Sequence, residues 1–173
     1  MQKTEAIVLA LQKHTDTSSF VHLYTKNQGR MQFLVYGKRG ASKRKQSGVN
    51  INLFTPLSLL EITYSDNPTK SLSAISTASL KYIPQCIPTE INRQCIAMFM
   101  AEALEKTIRL PMQDEVLFDF IAEKIRELDL SDSVEDLPNR FLEQLSMILG
   151  YGGEPIEELA NMKTRELIEE IFA

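Results

Sequence analysis

The residues best placed to do chemistry in this chain are basic. Residues 36–48, YGKRGASKRKQSG, hold Lys38, Arg39, Lys43, Arg44 and Lys45 and no acid, although the whole chain has a formal charge of −4. The acid-free window extends over residues 17–60 and adds Lys26 and Arg30, making seven cations in all. Like charges gathered on one surface repel each other, and a polyanion relieves that repulsion. The composition therefore suits contact with nucleic-acid phosphates. A solvated basic loop with no partner would have the same composition. Tyr24 and Tyr36 alternate with apolar neighbours and are the aromatics expected to be exposed, where they could stack on unpaired bases. Phe20, Phe33 and Phe54 are expected to fill the interior.

Other chemistries lack their residues. GKRGASK has the wrong spacing for a phosphate loop, and GxGxxG, HExxH and GxSxG do not occur. Cys86 and Cys95 are nine positions apart and distant in sequence from His14 and His22. A structural zinc site usually draws its four ligands from closely spaced pairs, so no metal is expected and both cysteines read as buried thiols. His22 reads as a partly exposed strand residue with no catalytic partner. The expectation is a non-enzymatic binding protein with no cofactor.

The charge is divided along the chain. Residues 1–83 carry 11 Lys+Arg against 4 Asp+Glu, whereas residues 84–173 carry 8 against 19. A polyanion-binding part joined to an acidic part is the implied organisation. Hydrophobic residues make up 43% and charged residues 24%, enough apolar material for a core. No run has signal-peptide character or approaches the roughly 18 apolar residues of a membrane span. A cytoplasmic location with no membrane partner is expected.

The elements that must position the basic window are strands. TEAIVLAL (4–11) reads as buried; SFVHLYT (19–25) and RMQFLVYG (30–37) alternate and form a hairpin around Gly29. VNINLFT (49–55) and LSLLEITYS (57–65) read as extended segments separated by Pro56, and residues 70–80 as a last strand. Five or six short strands in residues 1–82 imply a small barrel or sandwich, with the basic stretch as an inter-strand loop. After YIPQCIPTE (82–90) the period becomes helical, with helices expected from 91 to about RLPM, over 114–128, within 137–153 and over 163–173. Pro138 and Gly150 bracket the third. Residues 83–173 are thus expected to be an all-α domain.

KTEAIVLAL, SSFVHLYTKNQGRMQFLVYGKRGASKR and LFTPLSLLEI together resemble the N-terminal part of RecO, a family of bacterial recombination mediators, strongly over residues 2–61 and more weakly as far as LGYGGEP. The resemblance implies an N-terminal OB-fold barrel followed by a helical domain. It implies binding to single- and double-stranded DNA, annealing of complementary strands without ATP, and RecR and the single-strand DNA-binding protein as partners, in DNA repair at the nucleoid. The basic region matches the family's DNA-contacting part. The four-cysteine zinc motif of many members has no counterpart here, and a stretch is expected to be missing between LGYGGEP and KTRELIEEIFA. The alternatives are a protein-binding adaptor descended from the same family and an RNA-binding OB-fold protein.

Overall fold

The computed structural model describes residues 1–37, 49–65 and 72–173. The chain divides into two compact units, Met1–Tyr82 with Leu110–Asp114, and Ile83–Arg109 with Glu115–Ala173. A single cut after Tyr82 does not provide for the segment Leu110–Asp114, which groups with the first unit.

The first unit is a closed barrel of five strands: β1 (Gln2–Lys13), β2 (Ser18–Thr25), β3 (Gly29–Tyr36), β4 (Leu59–Ser65) and β5 (Ser73–Leu80). Their order around the barrel is β1-β2-β3-β5-β4, which makes it OB-like. β1 pairs with β4 through residues 2–7 and with β2 through residues 6–13, bending at a register shift between Val8 and Ala10. A short parallel pairing of β3 with β5, Phe33 with Ser73 and Leu34 with Ala74, closes the circle. The period of two in each strand fills the interior: Ala6, Val8, Val21, Leu23, Phe33, Val35, Leu60, Ile62, Tyr64 and Ile75 join Val49 and Phe54 in one core. Phe33 and Tyr64 meet edge-on at 5.0 Å, a favoured aromatic geometry.

Residues 49–55 are not a strand. Val49 makes an isolated bridge to Gly37, and Ile51–Leu53 form a single 3-10 turn. The Asn50 side chain accepts from the Asn52 amide at 3.1 Å, a local closure that competes with ladder pairing. Leu57 follows Pro56 with φ 62°. It is held there because its N–H donates to the Val8 carbonyl and the Val8 N–H donates to Ser58, at 2.9 and 3.0 Å. The bend in β1 is thereby tied to the turn before β4.

The second unit contains α1 (Ile91–Thr107), α2 (Glu115–Leu130), α3 (Leu137–Ile148) and the short α4 (Arg165–Ile171). α1 packs against the other three, and its Ile96, Phe99, Met100 and Leu104 are buried. Two polar side chains fix the turns. The buried Asp129 carboxylate accepts from the Gln85, Cys86 and Ile87 amides at 2.8–3.0 Å. Arg93 donates to the Leu128 and Ser131 carbonyls at 2.6 and 2.8 Å, capping the end of α2. No helix among the described residues is long and apolar enough to cross a membrane.

Candidate nucleic-acid interface

The hairpin β2–β3 has one face in the core and one outside it. Opposite the core residues Val21, Leu23, Phe33 and Val35, the outer face carries the register pairs Ser18–Tyr36, Phe20–Leu34, His22–Gln32 and Tyr24–Arg30. Two pairings set its ends. At one end the β1–β2 turn is closed by Thr15, whose hydroxyl lies 2.6 Å from Ser18 Oγ and accepts from the Ser18 amide at 3.1 Å. At the other, Thr25 Oγ1 donates to the Gly29 carbonyl at 2.8 Å, and Gly29 takes φ +71°.

The residues singled out in the sequence are distributed unevenly over this face. Tyr36 is 47% exposed at the point where β3 runs into the basic stretch. Arg30 is half-buried six residues earlier, about 20 Å away along the strand, with Nη2 3.4 Å from His22 Nδ1. Lys26 is half-buried in the turn beyond it, its amide donating to the Glu5 carbonyl at 2.9 Å. Lys38, Arg39, Lys43, Arg44 and Lys45 lie outside the described residues.

Tyr24 corrects the expectation of exposure. It is fully buried, and its hydroxyl reaches the Met112 and Asp114 carbonyls at 3.4 and 3.3 Å. Burial, with the nearby Asp114 charge, pushes the phenol up to about 12. Strand parity placed Tyr24 on the outer face correctly. The segment covering it, Leu110–Asp114, comes from far along the chain, where strand alternation carries no signal. Tyr24 is therefore no stacking platform.

Phe20 is the converse correction. Phe33 and Phe54 fill the barrel, but Phe20 lies outside that core, half-buried on the outer face. Its ring meets the exposed His14 ring at 4.3 Å, tilted by 41°. The signal was available: Phe20 has the parity of His22, opposite to Val21.

Electrostatics separate this face from the rest of the barrel. Glu5, Asp16 and Glu61 are the described carboxylates of residues 1–83, and each pairs with a lysine outside the acid-free window. The pairs are Glu61–Lys3 at 2.8 Å, Glu5–Lys81 at 3.2 Å and Asp16–Lys13 at 3.4 Å. The Lys3 hydrogen bond, aided by the Lys3 and Lys81 charges, holds the Glu61 carboxyl below the usual range. A cleft of about 440 Å³ opens at the barrel end beside the β1–β2 turn, lined by Leu11, Thr15, Ser19, Gly37 and Ile51 among others. Among the described residues no three His, Cys, Asp or Glu side chains gather as a metal site.

Comparison with known proteins agrees with this architecture. Residues 1–83 match the family model described as recombination protein O N terminal. The protein from Phocaeicola vulgatus named DNA repair protein RecO is 34% identical over 151 residues, which is 87% of this chain and 61% of that protein. The protein of that name from Bacteroides fragilis is 36% identical over the same shares. The one from Porphyromonas gingivalis is 34% identical over 88% of this chain and 64% of its own length. The chain thus spans about three fifths of the length of these curated relatives.

Proposed function

The chain belongs to the RecO family of DNA repair proteins, and from that premise we propose that it binds DNA as a recombination mediator, annealing complementary strands without ATP or any catalytic step. The reading is carried by one observation. The outer face of β2–β3, the ligand face of OB-folds in general, leads directly into the five-cation stretch, while the described acids of the barrel are engaged by other lysines. Phosphates recruit such a surface through counterion release, and two strands screened by one protein lose the mutual repulsion that slows their pairing. Lys26 and Arg30 extend the path along the hairpin, and Tyr36 stands at its end, two residues before Lys38 in sequence. Single- and double-stranded DNA both present the phosphates this surface needs. RecR and the single-strand DNA-binding protein, together with a cytoplasmic, nucleoid-associated location, are proposed on the family relation alone.

The test is replacement of Lys38, Arg39, Lys43, Arg44 and Lys45 by alanine. DNA binding and strand annealing should fall steeply while the melting temperature, measured on the same variant, holds. Unchanged binding by a folded variant would move the chain to the protein-adaptor reading, and preference for RNA in competition to the RNA-binding one.

A further inference from the structure

We propose that Phe20, backed by His14 and continued by Tyr36, is a stacking platform for unpaired bases that lets the interface distinguish single-stranded from duplex DNA. This rests on the DNA-binding reading above and assigns the discrimination to particular side chains. Phe20 stands outside the barrel core, opposite Leu34 in register, and Tyr36 is the next residue of β3 on that face. The two are diagonal neighbours across the hairpin, about 7–8 Å apart at the backbone, close enough to form one aromatic row. The tilted His14 ring braces one side of Phe20. The row ends at Gly37, where the basic stretch begins and the barrel-end cleft opens.

A phosphate contact reads only backbone charge density, which is higher in the duplex, so it cannot by itself favour the single strand. A ring can, since the face of a base is available only when the base has left its duplex stack. The cations should thus set affinity for both forms, and Phe20 should set their ratio.

The experiment measures binding of the full chain to an oligonucleotide and to its duplex by fluorescence anisotropy across a salt series. Phe20→Leu keeps an apolar side chain against His14 and removes the ring; Phe20→Trp keeps a ring. Phe20→Leu should weaken single-strand binding about tenfold and leave duplex binding nearly unchanged. Its salt slope should equal the parent's, because stacking releases no counterions. Phe20→Trp should retain the preference. A parent that binds both probes while Phe20→Leu leaves the ratio unchanged, or weakens both equally, overturns this inference alone. A parent that binds neither overturns the DNA-binding reading with it. Melting curves of both variants identify a loss caused by unfolding, in which case Phe20→Trp decides: loss of the preference with the ring present also overturns the inference.

Discussion

Gly29 shows how two independent demands converge on one residue. The turn between β2 and β3 places it at φ +71°, a conformation that costs most side chains about 1–2 kcal/mol. A Cβ there would also run into the Met112 carbonyl of the segment that covers Tyr24. Alanine violates both conditions, whereas asparagine tolerates the backbone and still meets the carbonyl. Gly29→Ala is expected to destabilise the barrel by more than about 2 kcal/mol. Gly29→Asn should recover only part of that loss in thermal unfolding. Full recovery would mean that the backbone angle alone selects glycine. The sequence placed Gly29 in the hairpin turn between these strands. It had no means of foreseeing the close approach, which involves residues more than eighty positions away.

At the scale of elements, legibility followed locality. β1 to β3, α2 and α3 were readable because the period of two or 3.6 is written within each segment, and α1, buried on most sides, because its apolar run is long. Residues 49–55 were read as an extended segment because they have strand composition, while a local turn takes up the Asn52 amide on the Asn50 side chain and the Leu53 and Phe54 amides on backbone carbonyls. α4 was legible as a short closing helix, yet its seven residues are too few for a stable isolated one. It is held from outside: Glu102 of α1 accepts from the Lys163 and Thr164 amides at 2.9 Å each and from the Thr164 hydroxyl at 2.7 Å. Burial pushes the Glu102 carboxyl up. The Thr164 and Lys163 hydrogen bonds, with the Lys106 charge, more than reverse this, so it titrates below the usual range. A carboxyl depressed on folding contributes stability that is present above its unfolded pKa and lost as pH falls through the folded value. Glu102→Gln should therefore speed amide exchange in Arg165–Ile171 at neutral pH. Its difference from the parent should shrink as pH drops below the usual carboxylate range. A difference that is constant with pH would mean that the charge of Glu102 does not hold α4.

At the scale of the whole molecule, the charge division decides how the chain meets a polyanion. The window 17–60 offers seven cations, and residues 84–173 carry 19 acids against 8 bases. Net charge therefore predicts repulsion from DNA, and the local window predicts attraction. Screening separates the two, because charges more than about 10 Å apart barely interact at ordinary ionic strength. Contact cations thus dominate once a strand is bound, and acids farther from the strand act mainly on approach at low salt. If four to six of the seven cations engage a single strand, log affinity should fall against log salt with a slope of roughly −3 to −4, at about −0.7 per phosphate. Removing Lys38, Arg39, Lys43, Arg44 and Lys45 should flatten the slope to about −1.4 at most, the share left to Lys26 and Arg30. Annealing should fall in parallel through the same salt series, with or without ATP. A slope near zero for the parent would show that the basic window does not meet phosphate, and the protein-adaptor reading would then stand in its place.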